Sequence, residues 1–243
     1  MPLPTPPSAN DGRRVLPVIV VTGMAFEARI ARGEGVEVVY AARADLLERA
    51  LGAAVARGCA GIVSFGTAGG LAPDLEPGSL IIADAVEGPF GRLQTDRPWS
   101  DRLAAALAAG PFSARVRRGL MAAVTAPLVT AGDKDVLHRS NGALAVDMES
   151  HIAGAKAAAH GVPFAVCRAI VDPAWRTLPS AATAGLRDDG STALGPILRE
   201  LLRQPSQLGA LIQVAVDARA ARVSLVQARR AMGEAGALRL ALA

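Results

Sequence analysis

Aromatic side chains are scarce: two Trp, one Tyr and five Phe in 243 residues. No basic run with interleaved aromatics occurs, and a net charge of +4 is too mild for a phosphate-tracking surface. Nucleic acid is therefore excluded as the expected partner. No apolar run reaches the roughly 20 residues of a membrane-spanning helix. There are two cysteines, Cys59 and Cys167, each inside an apolar segment. Buried, reduced thiols are expected there, which fits a cytoplasmic setting better than a disulfide framework does. His138, His151 and His160 show no ligand spacing with each other or with the cysteines, so neither a metal nor a cofactor is expected. The repeated glycines of a dinucleotide fingerprint are missing too, which disfavours a nicotinamide or flavin enzyme.

Hydrophobic residues make up 51% of the chain and charged ones 20%, a globular balance. Residues 1–14 (MPLPTPPSANDGRR) are rich in Pro and polar groups. They read as a disordered tail and not as a signal peptide. Residues 15–243 are long enough for one α/β domain with a sizeable core. A helical extension is expected from about residue 194 to the end.

The most informative stretch is LAVDMESHIAGAKAAAHGVPFAVCRAIVDPA, Leu144 to Ala174. It reads as strand, helix, strand. Gly161 stands where helices stop, and PFAVCRAIV is a continuous apolar run of the kind buried on both faces. The pattern predicts a right-handed crossover between parallel strands. Glu149 follows the first strand and Asp172 ends the second. Ligands of open α/β sheets bind beyond the carboxyl ends of strands, so both acids point toward one crevice. Singly, Glu149 is as well explained as a first-turn acid and Asp172 as a turn residue before Pro173. Together they favour a site.

Leu16 to Thr22 is the first buried strand, and Glu27 lies on the turn that follows it. Val36 to Ala41 reads as an outer strand and Asp45 to Arg57 as an amphipathic helix. Cys59 to Phe65 is the next strand. Gly66-Thr67-Ala68-Gly69-Gly70 then reads as a small loop whose backbone can approach a ligand. Gly78 to Ala85 is a strand and Asp101 to Ala109 a short helix. Arg115 to Val124 and Ala126 to Thr130 read as strand pieces, Ala131 to Asp135 as a turn and His138 to Gly142 as a polar connection. Leu194 to Arg203 and Gln207 to Arg230 are helical. In the latter, Leu208, Leu211, Ile212, Ala215 and Val216 form one face, expected to pack on the sheet. A cationic segment resting on anionic lipid is the alternative.

The segments TGMAFEA, SFGTAGGLAPDLEPGSLIIAD, VTAGDKDVLH with AVDMES, and PFAVCRAIVDPA stand in this order. The series resembles the nucleoside phosphorylase and nucleosidase superfamily, in its methylthioadenosine/S-adenosylhomocysteine nucleosidase branch. Within it, the VDPA ending, the LP…GLRDDGS segment and the Arg/Ala-rich tail are most similar to the hopanoid-associated members. The resemblance implies an α/β fold: a single three-layer α/β/α domain with a central mixed twisted sheet. It also implies roles. Asp172 would protonate the purine at N7. Glu149, with the Met148 backbone, would hold the ribose hydroxyls. Glu27 would position or deprotonate the attacking water. Thr67, with Ala68 and Gly69, would lie against the ribose, and the Val136 backbone would read the base edge.

The implied substrate is adenosylhopane, a lipid nucleoside, cleaved to adenine and ribosylhopane. A homodimer or larger homo-oligomer is implied, with peripheral membrane contact as a further expectation. Phosphorolysis needs cationic clamps on phosphate. The phosphorylase members carry arginines where this chain has Glu27 and Ser64-Phe65-Gly66, so hydrolysis is favoured. Phosphorolysis, turnover of methylthioadenosine or S-adenosylhomocysteine, and a non-catalytic nucleoside-binding role are the alternatives. Asp135 stands where the nucleosidases carry an aromatic residue that stacks on the base. Val171 stands where they carry a small hydroxyl residue.

Overall fold

A computed structural model describes residues 16–109, 115–184, 187, 191 and 193–240. The expected tail, residues 1–14, lies outside them. Eight strands and eight α-helices are seen among the described residues. The strands are β1 (Val18–Thr22), β2 (Val36–Tyr40), β3 (Gly61–Gly70), β4 (Leu80–Gly88), β5 (Gly91–Gln94), β6 (Val116–Ala123), β7 (Ala145–Asp147) and β8 (Phe164–Asp172). The helices are α1 (Ala25–Ala31), α2 (Ala44–Ala56), α3 (Arg97–Ala108), α4 (Ala131–Asn141), α5 (Ser150–His160), α6 (Ser180–Ala184), α7 (Leu194–Arg203) and α8 (Leu208–Glu234).

The architecture is three-layered with a mixed sheet, as the resemblance implied. Alternate residues of the central strands serve opposite faces. Ile19, Val21, Ile62, Ile81 and Val166 pack with Leu47 and Leu51 of α2 and with Ile152 and Ala153 of α5. Val18, Val20, Val63, Leu80, Ala165 and Cys167 pack on the other side with Trp99 and Leu103 of α3 and with Ala221, Leu225 and Met232 of α8. Both cysteines are buried and reduced.

The sheet closes on itself. β3 pairs in parallel with β8, β8 antiparallel with β4, β4 parallel with β6, β6 parallel with β7, and β7 antiparallel with β3. β1 and β2 extend one side, in parallel register from β3. β7 and β8 are therefore not parallel neighbours. Each pairs with β3, and they run in opposite senses. The expected right-handed crossover is corrected: β7 is three residues long and takes its direction from β6 and β3.

The acids still converge, for a different reason. β7 runs back along the end of β3, with Val146 opposite Gly69. β8 runs forward along the same segment, with Asp172 opposite Gly69 after a bulge. Three further readings change. Residues 66–70 are the second half of β3, not a loop. Residues 126–130 form no strand, and 131–141 form one helix, capped by Thr130 Oγ1 accepting from Asp133 N at 3.0 Å. In α8 the packed side is Asp217, Ala221, Ser224, Leu225, Ala228 and Met232. The expected packing face is turned outward, with Leu208, Ile212 and Val216 at least half exposed.

Candidate active site

Glu27 is set by a helix start. It is the third residue of α1, and its Oε2 folds back to accept from Gly23 N at 3.2 Å and Met24 N at 3.0 Å. Those N–H groups have no partner inside the helix, so the carboxylate satisfies them. Its other oxygen, Oε1, accepts from Thr67 N and Thr67 Oγ1, both at 2.7 Å. One acid thus ties the end of β1 to the middle of β3, and it is only 1% exposed.

Beneath it lies Arg168, fully buried in β8. Its guanidinium donates to Ser64 Oγ at 2.6 Å and to the Thr67 carbonyl at 3.1 Å. Its Nη2 is 3.1 Å from Glu149 Oε2, and its Nε is 2.8 Å from Asp147 Oδ2. Ser150 Oγ lies within hydrogen-bond reach of Asp147 and of Ser64 Oγ, the latter at 2.9 Å. One guanidinium thus stands among three carboxylates: Glu27, Asp147 and Glu149. The imbalance shows in Glu149. Burial raises its pKa to about 7, helped by the Asp147 and Glu27 charges and opposed by Arg168.

The glycines of this region make room for charge. A Cβ on Gly66 would stand 2.7 Å from Glu27 Oε2 and 2.8 Å from Arg168 Nη1. A Cβ on Gly23 would collide with Glu149 Oε1. What reads in sequence as a ligand-cradling loop is a strand stripped of side chains so that the acids and the arginine can meet.

Asp172 has a partner of its own. Lys134 of α4 is completely buried, and its Nζ lies 2.5 Å from Asp172 Oδ2. The same ammonium donates to the carbonyls of Pro173 at 3.1 Å and Arg176 at 3.0 Å. Burial raises the Asp172 pKa, and Lys134 opposes that rise. Arg176 is held in turn by Asp217 of α8, with Nε and Nη2 both 2.9 Å from Oδ2.

These residues surround a cavity of about 250 Å³, a little under the usual range for small-molecule sites. Glu27, Asp147, Glu149 and Asp172 line it, with Thr67, Ala68, Gly69 and Met148. The remaining wall is aliphatic: Val124, Pro127, Leu128, Val171 and Leu178 among others. No lysine, arginine or aromatic side chain lines it among the described residues. Arg168 and Lys134 lie behind the acids. No group of residues able to hold a metal ion occurs among the described residues.

Of the residues expected from the sequence, only Val136 falls outside this lining; it is 63% exposed on α4. Two residues along a helix is about 200° of rotation. With Lys134 turned inward, Val136 must turn out. Asp135 also faces outward, ion-paired with Arg139. Sequence reading missed Lys134, Arg168, Asp147 and Ser64. Arg168 carried a signal, a lone cation inside an apolar strand. Lys134 carried a fainter one, being one of only two lysines in the chain.

The sequence model of the phosphorylase superfamily matches residues 14–203. No curated protein matches. Among solved structures, the native futalosine hydrolase of Helicobacter pylori strain 26695 superposes with a TM-score of 0.64 at 16% identity, covering 90% of this chain and 98% of that one. Helicobacter pylori methylthioadenosine nucleosidase, with 5′-methylthioadenosine in its active site, gives 0.59 at 16%, covering 88% and 97%. The S-adenosylhomocysteine nucleosidase of Streptococcus pyogenes gives 0.57 at 19%, covering 67% and 86%. At these identities the likeness shows the fold.

Proposed function

The chain belongs to the phosphorylase superfamily, and from that premise we propose that it hydrolyses the N-glycosidic bond of a purine nucleoside. The observation that carries this reading is the lining itself: four acids converge on one small cavity that no cationic side chain lines among the described residues. Phosphorolysis would bring a phosphate against Glu27, Glu149 and Asp172 with no guanidinium to receive it. Water has no such difficulty.

In this reading the departing purine gains electrons as the C1′–N bond breaks, and Asp172 gives it a proton at N7. A carboxyl with a raised pKa is suited to that step. The ribose becomes oxocarbenium-like. Glu149 faces it and accepts from its hydroxyls, with the Met148 backbone beside it. Water adds at C1′ and passes a proton to Glu27, which Thr67 and the start of α1 hold in place. Each such preorganised contact is typically worth about 2.7–4 kcal/mol of barrier.

For the substrate we favour adenosylhopane, with adenine and ribosylhopane as products. The similarity of the VDPA ending and the C-terminal segment to hopanoid-associated members supports it. So does the aliphatic wall of the cavity, which suits an apolar substituent. Methylthioadenosine or S-adenosylhomocysteine is the second reading, favoured by the structural neighbours. A homo-oligomer would help close the 5′ side of the cavity.

The test is adenine release from adenosylhopane in detergent and from methylthioadenosine, each with and without phosphate. Phosphate-independent release from the hopanoid supports the whole reading. Release only with phosphate overturns the argument from the missing cations. Release from methylthioadenosine alone keeps the chemistry and overturns the lipid substrate.

A further inference from the structure

The outer side of α8 is unusual. Leu208, Ile212, Val216, Val223 and Val226 are each between 46% and 58% exposed. At about 100° per residue they fall within about 80° of arc, in a stripe roughly 27 Å long. Arg219 lies on the same stripe and Arg222 beside it. Both are exposed, and neither is ion-paired among the described residues. The only acids of α8 are Asp217, buried on the opposite side against Arg176, and Glu234, paired with Arg230 at the far end. A row of half-exposed aliphatics with unneutralised arginines, its one exposed acid already paired at the far end, is what an in-plane membrane helix presents.

We propose that the outer face of α8 docks on an anionic lipid surface. A second copy of the chain is a poorer occupant. A two-fold packing of α8 on itself would bring Arg219 and Arg222 against their own kind near mid-stripe, with no carboxylate to meet them. Nucleic acid would gain nothing from the aliphatic row. The helix sits in the interface plane, its valines, isoleucine and leucine in the acyl boundary, Arg219 and Arg222 reaching the headgroups. Its inner side stays on the sheet. Through Asp217 and Arg176 that side is joined to Lys134 and so to Asp172. No helix of the described residues is long and apolar enough to cross a membrane, so the contact is superficial. The docking holds for any substrate of the cavity.

The experiment is co-sedimentation of the full chain with vesicles of phosphatidylcholine alone or mixed with phosphatidylglycerol, at low and raised salt. The full chain is expected to pellet with the mixed vesicles at low salt and to be released by salt. Arg219→Gln with Arg222→Gln should weaken partition about 30-fold. Leu208→Gln, Ile212→Gln and Val216→Gln together should abolish it, with the circular dichroism spectrum and melting temperature kept, since all three positions are exposed. Equal pelleting with both vesicle types, no pelleting, or no effect of the variants overturns the proposal. So does sedimentation velocity in which the triple variant converts a dimer to a monomer, because the stripe would then belong to a contact between copies. Turnover of methylthioadenosine in vesicle-free buffer is read separately, so failure of docking and failure of the nucleosidase reading are distinguishable.

Discussion

Replacing Lys134 by Met would test how the acid at Asp172 is held. The side chain is fully buried, and its ammonium contacts Asp172 Oδ2 at 2.5 Å and the carbonyls of Pro173 and Arg176. Methionine keeps the stem and removes the charge. Stranding one member of a buried ion pair typically costs about 3–5 kcal/mol. In a chain of this size that is roughly 6–20 °C of melting temperature. The loss depends on pH, and the sign follows from linkage. The folded pKa of Asp172 is raised by burial, so the folded state holds its proton to higher pH than the unfolded state does. Stability contributed by that proton is present at low pH and is lost as pH rises through the folded pKa. Without Lys134, which holds it down, the pKa rises further. The deficit of Lys134→Met against the parent should widen as pH is raised from 5 to 8. The alkaline limb of adenine release should move to higher pH, because N7 needs a protonated Asp172. The assay is a thermal melt and a kcat/KM profile across that range. A deficit equal at all pH values, or an alkaline limb that stays or moves down, would refute the reasoning.

Glu149→Gln should flatten the dependence of melting temperature on pH. The parent group loses stability as pH rises from the ordinary carboxylate range to about 7, and Gln has nothing to titrate. Glu27→Gln should lower kcat about 10²–10³-fold with little change in KM, because an amide has one acceptor oxygen where the Glu27 carboxylate has two, which accept from four donors; an unchanged kcat would remove Glu27 from the chemistry. Gly66→Ala should cost about 1–3 kcal/mol in urea melts, since its Cβ would press on the Glu27 carboxylate and the Arg168 guanidinium; a neutral effect would mean the cluster has slack.

Three of the four cavity acids, Glu27, Glu149 and Asp172, were legible because each stands at or after the carboxyl end of an apolar run, and strand ends are where open sheets keep their ligands. The strand directions were not. A three-residue β7 has no pattern of its own, and its sense is fixed by β6 and β3, which lie elsewhere in sequence. The helix at 131–141 was hidden because its inward residue is Lys134 and no apolar stripe marks it. In α8 the ranking of residues by size misled. The packed side sets Leu225 and Met232 among the small Ala221, Ser224 and Ala228, with Asp217 at its start. The bulkier Leu208, Ile212 and Val216 were left outside. Lys134 and Arg168 show the same limit: a buried cation is defined by the carboxylates that meet it, and those come from distant segments.

Closure of the ring has a consequence for synthesis on the ribosome. β3 is made early, yet its partner β8 arrives about a hundred residues later, with Phe164 opposite Ile62. Until then the edge of β3 stands open, and so does that of β4. The same strand delivers Arg168, the one guanidinium that Glu27, Asp147 and Glu149 share. Before it emerges, drawing those acids together gains nothing and costs their mutual repulsion. The nascent chain therefore carries an unfinished, adhesive sheet for about a hundred residues of its translation, and the strand that seals it also brings the guanidinium that the acids share.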